Sequence, residues 1–267
     1  MLADVVVEDA KKVFLPCVRP IYGAATPHST PEPAASCVLL EIDGRFFGVT
    51  AAHALDLIWD AERPLSLHIG GGSGTGPVQI QGEIITTDPR GDREKDRFDF
   101  GFWEIDPKEK NALGAVAFVQ ESDCYPAVSS VVDRHVALIG YSIARNKKGI
   151  RPRAATVTPR VCTYSDQSLA LKPHQIKRGW RTDQHVGFRY RKYARTAGGD
   201  RVNAFDPRGM SGGAVVDLGR FGSLAAHGGN PKFLLSAVFL EWDRNTGLAT
   251  GVRIHEVLTA IRACCAQ

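Results

Sequence analysis

Three short patterns in this 267-residue chain bring together residue types that can carry out acyl transfer. Gly48-Val-Thr-Ala-Ala-His53 sets a histidine just past an apolar run. Arg97-Phe-Asp99-Phe-Gly-Phe102 sets one acid inside a period-two apolar segment, and Gly209-Met-Ser211-Gly-Gly213 leads into Ala-Val-Val. Each alone fits a bland role, as a core histidine, an edge acid or a plain turn; it is their combination, in this order, that carries chemistry. A serine hydroxyl is a weak nucleophile at its own pKa, so a neutral imidazole must take its proton during attack. A carboxylate must in turn hold that imidazole in the right tautomer and stabilise the imidazolium. These roles fall to Ser211, His53 and Asp99. The resulting oxyanion needs two convergent backbone N–H donors, expected from Gly209 and Ser211, and a glycine two residues before the nucleophile permits the tight turn that aims them.

Rival groups are weaker. Asp96 belongs to a charged loop, residues 92–97, and Asp106 is remote. The other seven histidines form no HExxH or paired i, i+4 arrangement, so neither a metal nor a cofactor is expected. None of the six cysteines (Cys17, Cys37, Cys124, Cys162, Cys264, Cys265) has CxxC spacing or a glycine-rich oxyanion context; most read as small buried apolar residues. The run Gly70 to Gly76 lacks a following GK[ST] and reads as a loop rather than a phosphate cradle.

These groups need a scaffold, and the pattern around them is one of short alternating apolar runs bounded by Gly, Pro and Asp. They include Cys37–Ile42, Arg45–Thr50, Pro77–Ile85, Phe98–Ile105, His135–Gly140, Ala154–Thr163, Gly213–Leu218 and Leu234–Glu241. This density predicts an all-β barrel or sandwich, with a hairpin turn at Asp43-Gly44. Helical spacing emerges at the end, where Ile254, Val257, Leu258 and Ile261 form one apolar face. Asp106 to Val131, with few strand signals, is the expected connection between two lobes, residues 1–115 and 116–267. Apolar residues at 43% and charged residues at 23%, with no membrane-length apolar stretch, exclude disorder and membrane insertion. The N-terminus has acids and no long apolar core where a secretory signal would sit, which predicts an unexported, cytoplasmic protein.

Charge is uneven. From Arg145 to Arg201 there are 15 Lys and Arg against 3 Asp and Glu, while the rest holds 18 basic and 26 acidic residues. Solvated basic loops, an exosite for an acidic partner or substrate, and a nucleic-acid surface are the three readings, the last being the weakest.

In these motifs the chain resembles the chymotrypsin/trypsin-like serine peptidases, over about residue 35 to the end. Thr50-Ala-Ala-His53 looks like the family's histidine motif, Asp99-Phe-Gly-Phe its aspartate strand, and Gly209 to Gly213 its serine motif. The resemblance implies two six-stranded antiparallel barrels with the triad in the cleft between them, followed by a C-terminal α-helix. It also implies a specificity pocket with Phe205 at its base and Phe239, Glu241 and Gly251 on its walls, which would suit an apolar or small side chain. There are departures. Ala54 stands where secreted members have a cysteine, Met210 where they have an aspartate, and no Arg/Lys-Ile-Val-Gly-Gly lies near the start. Activation by N-terminal insertion is therefore not expected, and the chain looks more like the bacterial cytoplasmic or stress-type members. The excess of the basic segment, around Ser165 to Gly199, reads as a docking or regulatory insertion. The leading expectation is a serine endopeptidase acting on protein or peptide substrates; the alternative is a latent or inactive binding module that docks an acidic partner through residues 145–201.

Overall fold

The computed structural model of the protein describes residues 2–25, 31–58, 65–87, 93, 95–146, 159–172, 179–195, 201–220 and 232–266. Helix α1 (Leu2–Phe14) comes first, burying Val6, Ala10 and Phe14 at a four-residue spacing. Nothing in the short-strand pattern anticipates it. β1 (Val18–Ala24) pairs with β2 (Glu32–Ile42) and with β4 (Ser66–Gly70). β2 runs through the expected turn, with Asp43 at φ 51° and Gly44 at φ 76°, into β3 (Arg45–Ala51).

Next come β5 (Pro77–Gln79), β6 (Ile84–Thr86), β7 (Phe100–Glu104) and β8 (Val119–Gln120), giving the order β5-β4-β1-β2-β3-β7-β6 with β8 parallel to β2. The expected strand Pro77–Ile85 is thus two strands. Between them the Gln81 N–H donates to Glu109 Oε1 at 2.7 Å instead of to a neighbouring strand. Since β5 and β6 are the two ends of the path, that break makes the first lobe a half-barrel sheet among the described residues, within the two-lobed β architecture expected.

The second lobe closes. β9 (His135–Gly140), β10 (Cys162–Leu169), β11 (His185–Arg189), β14 (Ala214–Gly219), β15 (Leu234–Asp243) and β16 (Leu248–Arg253) form a six-stranded barrel, and β12 (Tyr193–Arg195) with β13 (Arg201–Asn203) makes a separate hairpin. β10 and β11 are barrel wall, so the segment Ser165–Gly199 is not insertion throughout. Of the expected strand Ala154–Thr163, residues 154–158 lie outside the described set, and the strand begins at Cys162.

Between the lobes, α3 (Pro107–Leu113) takes a stretch expected to be irregular. Asp106 accepts the Glu109 N–H at 2.7 Å while Glu109 accepts the Asp106 N–H at 3.0 Å, with proline in the first turn. The chain leaves the first sheet after Gln120 and bridges the second barrel from Cys124 to Leu235. A single turn, α4 (Ile143–Asn146), follows β9, and at the end helix α5 (Ile254–Cys265) buries Ile254, Val257, Leu258 and Ile261, the face read from their spacing. One buried apolar cluster runs through both lobes. Among the described residues no helix is long and apolar enough to cross a membrane.

Candidate active site

His53 lies in α2 (Ala52–Asp56), a single turn that begins where β3 ends. Asp99 sits immediately before β7 at φ 45°, not inside the strand as its alternating neighbours imply. The left-handed angle, which aspartate tolerates better than most residues, turns its carboxylate under the histidine. Only 1% of Asp99 is exposed. Its Oδ1 accepts the His53 backbone N–H at 2.9 Å, its Oδ2 lies 2.7 Å from His53 Nδ1, and its carbonyl accepts the Ala52 N–H at 2.8 Å. The acid thus holds both the ring and the turn that bears it. With Nδ1–H donating to the carboxylate, Nε2 is left as an acceptor, and it stands 3.1 Å from Ser211 Oγ.

The rival acids have other work. Asp96 is buried, accepting the Phe98 N–H at 3.0 Å and the Thr87 hydroxyl at 2.6 Å, so it shapes the loop that delivers Asp99. Asp106 caps α3. From the second lobe, His185 Nε2 donates to the Arg97 carbonyl at 2.7 Å, two residues before Asp99. Burial holds the His185 imidazole below its ordinary pKa. Burial also pushes the thiols of Cys17, Cys37 and Cys124 up to about 12, which keeps them protonated and poor nucleophiles.

The serine turn is held at both ends. Pro207 accepts the Met210 N–H at 2.8 Å and Met210 accepts the Gly213 N–H at 2.7 Å. The Arg208 carbonyl accepts the Ile143 N–H at 2.8 Å, so across that trans peptide the Gly209 N–H points the opposite way. Among the described residues neither the Gly209 nor the Ser211 N–H has a protein acceptor. Gly209 has φ 87° and Gly212 φ 85°; a Cβ on Gly212 would lie 2.1 Å from both the Ser36 carbonyl and the Thr50 hydroxyl, so the turn closes directly onto the first lobe.

The expected pocket residues are dispersed around this turn. Phe205 is half-buried, edge-on to Tyr190 at 6.0 Å, with Arg145 over its ring. Phe239 is a core residue packed on Phe188, and its N–H and C=O bond Gly213 and Gly212. Glu241, half-buried, follows a bulge that breaks the alternation after Phe239, and Gly251 pairs with Phe239. Sequence reasoning missed Ser36 and His185 as parts of the site, since no motif surrounds them; Thr50 entered only as the start of the histidine motif and Asp96 only as a rival acid.

No family model matches the chain, and no curated protein matches it significantly. Among solved structures, that of a Glu endopeptidase in complex with MPD matches with a TM-score of 0.50 and 13% identity, over 92% of this chain and 90% of that one. At that identity the likeness is one of fold, and the fold is the chymotrypsin-like two-lobed β architecture.

Proposed function

We propose that the chain is a serine endopeptidase. One observation carries the reading: an unbroken line runs from a buried carboxylate through an imidazole to a serine hydroxyl, with separations of 2.7 and 3.1 Å. On this reading Ser211 Oγ attacks the scissile carbonyl carbon as His53 Nε2 takes its proton, and Asp99 stabilises the imidazolium. The oxyanion receives the N–H groups of Gly209 and Ser211. Collapse breaks the C–N bond, the amine leaves with the proton from His53, and water, deprotonated by the same imidazole, releases the acyl group from Ser211.

A peptide substrate is supported by the edge of β15. The strand pairs with β14 only as far as Val238, whereas β16 accompanies it to Asp243. Past Phe239 one edge of β15 therefore has no partner strand among the described residues, which suits an extended peptide added as a further strand. Phe205, Phe239, Glu241 and Gly251 are the proposed pocket residues, and cleavage of peptide libraries tests the apolar or small preference. The proposed setting is cytoplasmic, of the bacterial stress or defence type, supported by six free cysteines, four of them buried.

The deciding experiment is labelling by a fluorophosphonate probe, alone and with cell lysate added. Ser211-dependent labelling is expected, lost in Ser211→Ala and His53→Ala chains that still fold. Labelling that appears only with lysate means that a partner completes the site, and none under either condition overturns the reading. A second reading, docking of an acidic protein partner, is favoured by a cleft of about 670 Å³ bordered by Lys172, Arg189, Arg191, Lys192 and Arg244. Binding there would survive Ser211→Ala and weaken with salt. Nucleic acid fits less well, since of the aromatics Phe188, Tyr190 and Tyr193 the first two are buried and only Tyr193 is exposed to stack on a base.

A further inference from the structure

Ser36 lies in β2, in the lobe opposite the nucleophile, and is fully buried. Its N–H donates to the Ser211 carbonyl at 2.9 Å. Its hydroxyl donates to the Gly209 carbonyl at 2.9 Å and accepts the Tyr141 N–H at 2.8 Å, and its own carbonyl accepts the Thr50 hydroxyl at 2.7 Å. Tyr141 directly follows β9, and Thr50 is three residues before His53. A single residue of the first lobe therefore grips both residues expected to bind the oxyanion, the residue that follows β9 of the second barrel and the strand that leads into the histidine turn.

Resting on the peptidase reading above, we infer that Ser36 is a positioning residue for oxyanion stabilisation. Gly209, at φ 87°, has no side chain to restrict rotation of its flanking peptide planes. The plane before it, which carries the Gly209 N–H, is held through the Arg208 carbonyl by Ile143, and the plane after it by the Met210 N–H on Pro207 at one side and the Ser36 hydroxyl on the Gly209 carbonyl at the other. A hydroxyl is required because the group must donate to one backbone atom while accepting from another. Without it, the Gly209 carbonyl and the Tyr141 N–H lose a buried partner, and rotation of the peptide after Gly209 is the direct way to find another. That plane joins the two donors, so its rotation changes the backbone angles at Gly209 and Met210 that aim the Gly209 and Ser211 N–H groups; outright loss of one such donor costs roughly 10²- to 10³-fold in turnover.

The test compares the wild-type chain with Ser36→Ala, Ser36→Thr and Ser36→Cys. Three readouts are used: steady-state peptide hydrolysis, inhibition by a peptide boronate that forms a tetrahedral adduct on serine, and hydrogen exchange of the segment 207–213. Ser36→Ala is expected to lower kcat at least about tenfold with KM within about twofold, to weaken boronate binding by a similar factor, and to speed exchange in 207–213. Ser36→Thr keeps the hydroxyl and stays near wild type. Ser36→Cys, a weak donor of similar size, falls between, and it decides the matter if the alanine chain does not fold. A folded Ser36→Ala or Ser36→Cys chain with unchanged kcat, boronate affinity and exchange overturns the inference. A wild-type chain that neither cleaves peptides nor binds the boronate overturns the peptidase reading instead, and exchange alone then decides whether Ser36 holds the loop.

Discussion

At Asp99 a single backbone angle does what a strand position would not. At φ 45° the carboxylate reaches both the ring and the main chain of His53, whereas an extended residue in β7 would point across the sheet. Asparagine also tolerates the left-handed region, so Asp99→Asn keeps the turn and removes only the charge. An amide NH₂ facing Nδ1 favours the tautomer with its proton on Nε2, where it cannot accept from Ser211. The expected result is a fall in kcat of roughly 10⁴ with KM little changed, measured on a peptide substrate at neutral pH. A fall of less than about tenfold would mean that the carboxylate is not the orienting group.

One scale up, the loop before β7 depends on β11. His185 donates from Nε2 to the Arg97 carbonyl and faces the Arg181 N–H and carbonyl with Nδ1, in a setting bounded by Phe98, Trp180, Arg97 and Glu256. Burial, the largest influence, keeps it neutral below its ordinary 6.5. The unfolded chain binds this proton near 6.5 and the folded chain only at lower pH, so the stability contribution is complete above 6.5 and declines as pH falls below it. Burial of His135 and His255 acts in the same direction. Thermal midpoints are therefore expected to drop between about pH 7.5 and about pH 5.5, and to drop less in His185→Gln, which keeps a donor for Arg97. An equal decline in both chains would assign the effect elsewhere. Two elements absent from the sequence expectations did have signals there: the period-four Val6, Ala10, Phe14 stripe of α1, and the Asp106-Pro107-x-Glu109 start of α3. Both stand amid strand-like composition, and a single apolar stripe or cap is all that marks them.

Across the whole molecule, polar side chains hold together segments placed far apart in sequence. Arg253, at the end of β16, is 5% exposed and donates to the carbonyls of Pro126, Ser129 and Asp183 at 3.1, 2.7 and 3.2 Å. Two of these carbonyls lie on the stretch that enters the second barrel, so the arginine fastens the connection to the body it leads into. Arg253→Met fills similar space but leaves these acceptors without their charged donor. A loss of about 2–4 kcal/mol in urea denaturation is expected. A loss below about 0.5 kcal/mol would mean that water takes over the carbonyls and that the connection is not held here.

What the sequence determined by itself is local: the residue types and order of His53, Asp99 and Ser211, the glycines beside the serine, the Asp43-Gly44 turn and the apolar face of α5. Each follows from neighbours within one turn or one strand, where period and turn chemistry are legible. The left-handed angle at Asp99, the split of Pro77–Ile85 and the half-barrel first sheet were decided by tertiary contacts. So were the diversion of Asp96 to its own loop and the grip of Ser36 on the serine turn. Those contacts join residues far apart in the chain, 158 positions for His53 with Ser211 and 173 for Ser36 with Gly209. A lone buried serine in Ala34-Ala-Ser36-Cys has no pattern of its own; its role exists only once the second lobe brings three backbone groups within hydrogen-bonding distance.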